Sequence, residues 1–413
     1  MESVSTRDRE ILRRRAQIHL EYAKSLQNDI ILQKWRAQAA GRREAPPVRL
    51  LFGSYRHEVI TPRLQCEGEL ARKIEAILLD RTVGRELFDD DTPVSPTFDM
   101  EWRTHVRPFG INSMITRAGG PNPLGFHIDP VITDLASEVD KLRGGSFGVD
   151  REGTARWREL LEDILGDILP VRMVMGSLTG AITNPLVQLM GMEAYYLAMF
   201  DCPDVVHHVM DMATSVFEQY YDFLEAEQLL LPTNGMSSLA QESFAFTDEL
   251  PSDKVTRTNE CWGFLESQET TAVSEEAFGE FVFPYQQRLV DRFGLLSYGC
   301  CERVDAIWPN YLSKWPTLRK LSVSPFNDEH RIGEYLRGSR VVYYSKPRAE
   351  FVTCDGPLND EAITAYFKGV CEAASGCLFE IAQREVGTIY GDFERGRRYV
   401  RLAKEAVDRY WSP

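Results

Sequence analysis

The chain predicts an α/β protein closed into a (β/α)8 TIM-like barrel with an N-terminal helical arm. Two observations carry that expectation. Short apolar runs, the mark of strands buried on both faces of a parallel sheet, alternate with longer stretches of helical periodicity, as βαβ units require. Polar clusters also follow run after run through the C-terminal half. Glu266-Ser-Gln-Glu269 follows 261–265, Cys300-Cys-Glu302 follows 295–298, Ser324 to Asp328 follows 318–323, and Ser345-Lys346 follows 341–344. Barrel active sites are built at that end of the strands. No Gly-x-Gly-x-x-Gly follows a first strand and no Walker A lysine motif occurs, which argues against a nucleotide cofactor.

The elements follow in order. Residues 5–42 place Leu12, Ala16, His19 or Leu20, Ala23, Leu26 and Ile30 at helical steps and predict one amphipathic helix, capped by Ser5 with Asp8 three residues later. It reads as an extension, residues 1–47, lying over a barrel of residues 48–413 or against a second subunit, so a homodimer is expected. Arg13, Arg14 and Arg15 read as a solvated face. Residues 48–53 are a first strand and 67–79 a helix. Asp89-Asp-Asp91 reads as a solvated, helix-capping run ahead of a strand at 93–98. Residues 102–142 are rich in Gly, Pro and Asn and lack periodicity, which predicts a functional loop or lid. Its Arg103, His105, Arg107, Arg117 and His127 are suited to face an anionic substrate. Helices are expected at 157–164, 187–200, 205–224, 275–293 (capped by Ser274), 363–374 and 394–409, and further strands at 169–175, 229–231 and 377–381.

Charge and cysteine content narrow the class. With 62 acidic against 47 basic residues the net charge is −15, which argues against nucleic-acid or anionic-membrane partners. No uncharged run reaches bilayer-spanning length, and the start of the chain carries no secretory h-region, so a cytoplasmic protein is expected. Eight cysteines without framework spacing in 413 residues read as reduced thiols rather than a disulfide scaffold.

The densest chemistry lies at Leu295-Leu-Ser-Tyr-Gly-Cys-Cys-Glu302, where an apolar run ends in two thiols and a carboxylate, a pattern suited to a soft-metal or thiol site. On an extended strand Tyr298 and Cys300 would share one face, leaving Cys301 for the core. Together with Trp262-Gly-Phe-Leu-Glu-Ser-Gln-Glu269, Leu321-Ser-Val-Ser-Pro-Phe326 and Ser345-Lys-Pro347, this segment resembles a branch of the uroporphyrinogen decarboxylase superfamily, which includes corrinoid-dependent methyltransferases. The resemblance spans about residues 130–410 and is strongest from 260 to 395.

That resemblance implies a barrel with its site at the strand C-termini. The methyltransferases carry a zinc motif, His-x-Cys and a distant Cys, which falls here on Tyr298, Cys300 and Cys377; tyrosine replaces the histidine. Zinc would then need Cys300, Cys377 and a carboxylate, Glu302 or Glu269. The resemblance implies methyl transfer from a small O-, N- or S-methylated substrate to or from a corrinoid on a separate protein, since no Asp-x-His-x-x-Gly segment occurs in this chain. Glu269, Tyr298, Glu302 and Asp328 are the candidate catalytic groups; Gln268, Arg107, His127, Asn327 and Lys346 are the candidate substrate ligands. The polycarboxylate-gripping Arg-Gln-Ala-Gly-Arg segment of the decarboxylase is missing from residues 51–57, which argues against uroporphyrinogen itself as substrate. A metal-free decarboxylase or lyase acting on a small carboxylated substrate is the alternative.

Overall fold

The computed structural model describes residues 4–117 and 126–413. They form a mixed α/β protein with a seven-stranded parallel sheet: β1 Val48–Leu50, β2 Leu178–Thr179, β3 Trp262–Leu265, β4 Leu295–Tyr298, β5 Leu318–Val323, β6 Val342–Ser345 and β7 Leu378–Gln383. The chain divides into two compact units. One comprises Met1–Glu101, Glu152–Val174 and Glu329–Pro413; the other comprises Trp102–Arg151 and Met175–Asp328.

In the first unit the strand order is β1-β7-β6, with Val48 opposite Ile381 and Val342 opposite Leu378. The expected single N-terminal helix is two, Thr6–Ala23 and Leu26–Ala39, because Ser25 interrupts the first and caps the second through Asn28 N at 3.2 Å. Ser5 caps the first helix as expected, accepting from Asp8 N at 3.0 Å. Leu12 and Ala16 pack with Ile74, Leu78, Leu161, Ile164 and Leu165 in one core, so this segment is built into the unit. Asp8 closes it against the helix Glu69–Asp80. That helix has Gly68 at its N-cap, which offers no side chain, and Asp8 instead accepts from Glu67 N at 2.9 Å and Gly68 N at 3.0 Å. Burial opposes ionisation of Asp8, but those two N–H groups overcome it and hold its carboxyl below the usual range.

The acid run at 89–91 departs from expectation. Asp90 and Asp91 are buried, not solvated. Asp91 accepts from Val48 N at 2.9 Å and from the ammonium groups of Lys34 and Lys404 at 3.2 and 3.3 Å; Asp90 accepts from Leu50 N at 3.2 Å and from Thr92. β1 is a sheet edge, and these two carboxylates satisfy backbone N–H groups that the sheet does not.

In the second unit the order is β5-β4-β3-β2, with Leu295 opposite Trp262 and Leu178 opposite Gly263. Every residue of β3 and β4 is buried. Gly263 is required there, since a Cβ would lie 2.0 Å from the Phe293 ring. The expected helix 275–293 breaks at Val282 into Glu275–Phe281 and Phe283–Val290, since Pro284 cannot bond back into the preceding turn. In the loop expected at 102–142, Thr104–Arg107 pairs antiparallel with Ser146–Val149 just beyond it, and Met114–Arg117 with Phe126–Asp129; residues 118–125 lie outside the described residues.

Ring closure does not occur among the strand pairings of the described residues. Phe98–Met100 and Val171–Met173 form a separate parallel pair, and residues 229–231, expected as a strand, are coil. Leu229 and Leu230 are buried all the same. A short apolar run records burial and does not by itself choose a strand.

Candidate functional site

The second unit gathers polar groups where β2, β3 and β4 end. β3 delivers Glu266, Ser267, Gln268 and Glu269, the last two in a single 3-10 turn, Gln268–Thr270. β4 ends at Tyr298, where Gly299 turns the chain at φ +102°, a conformation open to glycine. A Cβ at Gly299 would also press to 3.1 Å from Ser322 Cβ. That turn breaks strand alternation, so the two cysteines are not on opposite faces as expected: their sulfurs lie 3.7 Å apart, Cys300 buried and Cys301, expected in the core, half-buried.

Glu302 locks the two loops together. It is 3 % exposed, accepting from Ser267 N at 2.9 Å and Cys300 N at 2.7 Å. The Tyr298 hydroxyl meets Ser267 Oγ at 3.0 Å. Complete burial, with Glu302 nearby, pushes the Tyr298 phenol well above its ordinary range, so it stays protonated. Asn327 has the same bracing character: it donates to Glu302 O and Ser324 O and accepts from Asp305 N at 3.0 Å.

A chain of oriented hydrogen bonds runs beside this lock. The Cys300 thiol donates to Gln268 Oε1 at 3.0 Å, and Gln268 Nε2 donates to Glu269 Oε1 at 3.2 Å. Glu269, buried, also accepts from Asn184 Nδ2 at 2.6 Å and Thr183 Oγ1 at 2.8 Å. These three donors hold the carboxylate in place, and the bond to Glu269 fixes the Gln268 amide in one orientation. A cavity of about 110 Å³ adjoins the lock, lined by Ser267, Thr270, Glu302, Arg303 and Ile307 among others.

The expected site residues are thus divided. Gln268, Glu269, Tyr298, Cys300 and Glu302 come together. Asp328 is exposed beyond β5, while Arg107 and His127 are exposed on the ribbons, His127 beside Asp129 at 3.6 Å. Lys346 and Cys377 belong to the first unit, Lys346 buried directly after β6. Thr183, Asn184 and Arg303 were not singled out from sequence, and Glu266 and Ser267 only as members of the polar cluster after 261–265. The signal for the first pair was present: Thr183-Asn184 is polar and opens the helix Thr183–Met190 just past β2.

The donors present do not fit a zinc ion. Cys377 belongs to the first unit, immediately before β7, and its thiol donates to Gly333 O at 3.5 Å, whereas Cys300 belongs to the second unit, just past β4. Burial pushes its thiol up to about 11. Both oxygens of Glu302 and of Glu269 are already engaged. Among the described residues no group of three or more His, Cys, Asp or Glu side chains is placed to hold a metal.

Among the described residues no helix is long and apolar enough to cross a membrane. No protein-family model and no curated protein matches the chain. Its fold is similar to that of a methyltransferase from Methanosarcina mazei, at 12% identity and a TM-score of 0.52, over 91% of this chain and 98% of that one.

Proposed function

We propose that this chain is a methyltransferase-like enzyme of the uroporphyrinogen decarboxylase superfamily, built on a distorted (β/α)8 barrel, that moves a methyl group between a small O-, N- or S-methylated substrate and a separate corrinoid protein. The observation that carries the reading is the oriented Cys300–Gln268–Glu269 chain at the strand ends, on a fold similar to that of a methyltransferase. A corrinoid on the partner would supply the methyl acceptor.

Removing a methyl group leaves an electron pair on the heteroatom, and a proton placed there lowers the barrier. The Cys300 S–H, aimed by Gln268, is the proton this chain of hydrogen bonds offers. Gln268, with its oxygen held by Cys300 and one N–H held by Glu269, has its remaining N–H for substrate. Glu302 and Tyr298 are positioning residues. No zinc-dependent step enters this account. The same reading carries a cytoplasmic homodimer, with the helices of residues 1–47 packed into the first unit through Leu12 and Ala16.

One observation favours the second reading. Arg303 lines the cavity and is exposed, and although it pairs with Asp305 at 2.9 Å it is the cation there that a small carboxylate would meet, as a metal-free decarboxylase or lyase would need. The test is incubation with deuteriomethyl-labelled ethers, amines and thioethers plus free cob(I)alamin, in parallel with a panel of small carboxylic acids. Formation of labelled methylcobalamin supports methyl transfer. Carbon dioxide release without methylcobalamin overturns it in favour of the lyase.

A further inference from the structure

Of the juxtaposed pair Cys300–Cys301, the methyl-transfer reading uses only the Cys300 thiol and leaves Cys301 without a role. The two sulfur atoms lie 3.7 Å apart. Neighbouring cysteines on a strand would point to opposite faces, but the Gly299 turn at φ +102° brings these two side chains together. The backbone that carries them is fixed at both residues: Ser322 Oγ donates to Cys300 O at 3.2 Å, and Ser324 Oγ donates to Cys301 O at 3.0 Å. Cys300 N is held by Glu302 at 2.7 Å. Cys301 is half-buried, so the pair is reachable from its side.

Two sulfurs bound about 2.3 Å from one centre, at angles from pyramidal to tetrahedral, lie about 3.4–3.8 Å apart. The spacing already present falls in that range, so a bidentate ligand requires little rearrangement. A closed zinc site needs more protein ligands than this pair provides. A trivalent arsenical needs two thiols and no third. We propose that Cys300 and Cys301 are a preorganised dithiol site for thiophilic three-coordinate centres, of which trivalent organoarsenicals are the class. With phenylarsine oxide, two S–H bonds and the As=O bond break, two As–S bonds form and one water leaves; no electrons are transferred. The proposal does not depend on methyl transfer.

The experiment titrates the full chain with phenylarsine oxide, follows the adduct by intact mass, and maps protected cysteines by alkylation. One adduct per chain is expected, protecting Cys300 and Cys301 together, reversed by dimercaptopropanol and resisting a monothiol. Cys300→Ser and Cys301→Ser should each weaken binding by at least about tenfold, since the second thiol acts at high effective concentration. Cys301→Ala gives the same result without a hydroxyl. Because Cys301 is half-buried, its two variants carry the test even if Cys300→Ser does not fold. An adduct mapping to Cys202 or Cys354, or Cys301→Ser binding as tightly as the unaltered chain, would overturn the proposal.

Discussion

Both units bury carboxylates against backbone N–H groups, but at opposite ends of their strands. In the first unit Asp91 accepts from Val48 N at the start of β1 and is neutralised by Lys34 and Lys404, and its carbonyl takes the Trp35 indole N–H at 2.9 Å. In the second unit Glu302 and Glu269 sit past the ends of β4 and β3, held by backbone, hydroxyl and amide donors. From them a chain of hydrogen bonds leads outward to half-buried Gln268 and to the thiols. The same interaction is a clamp where cations saturate it, and a means of aiming other side chains where neutral donors hold it beside a cavity. Placement relative to strand direction, rather than the presence of buried acids, separates scaffold from site.

Substitutions can break that contrast, and the largest effect is expected in the first unit. Asp91→Ala leaves two partly buried lysines facing an empty site and removes the acceptor of Val48 N. A loss of about 3–5 kcal/mol in urea denaturation is expected; a loss near zero would show that Asp91 is not the clamp. His19, buried in the same unit with Nε2 2.7 Å from Ser95 O, is next. Burial, opposed by that carbonyl and reinforced by Arg81, pulls its pKa down to about 4. The folded pKa lies below the unfolded value, so the unfolded chain binds the extra proton between them. Stability is therefore full above pH about 6.5 and falls by about 3 kcal/mol as pH drops toward 4. Comparing urea midpoints at pH 7 and pH 4.5 for the unaltered chain and His19→Leu checks the sign, since the variant should lose less.

Effects in the second unit should be smaller on stability and larger on chemistry. Glu302→Gln turns one acceptor into an N–H facing a backbone N–H, at a cost of about 1–3 kcal/mol, and frees the two loops from each other. Hydrogen exchange at Ser267 N and Cys300 N should rise together; a rise at one alone would mean the lock is not shared. Glu269→Gln keeps the shape and should cost about 1 kcal/mol or less in stability, while removing the charge that orients Gln268.

The strands that carry the site were the most legible part of the sequence. β4 and β5 fall on their expected residues because buried parallel strands read as unbroken apolar runs, and the groups just past β3 and β4 do converge. The rest failed for identifiable reasons. The apolar period at 5–42 runs in phase through the break at Ser25, so periodicity alone could not reveal two helices. Asp90 and Asp91 read as solvated because their partners, Val48, Leu50 and Lys404, are distant in sequence. β2, at two residues, is too short to carry a pattern. The facing of Cys300 and Cys301 was misjudged because alternation was carried past Gly299, where a positive φ ends it.

The most direct measurement compares methyl-transfer rates per folded molecule for Asp91→Asn and Glu269→Gln. Asp91→Asn, once the folded fraction is accounted for, should match the unaltered chain, while Glu269→Gln falls by at least about a hundredfold, the scale on which misplacing a substrate-positioning group slows a reaction. Wild-type rates from folded Glu269→Gln would contradict the assignment of the site to the ends of β3 and β4.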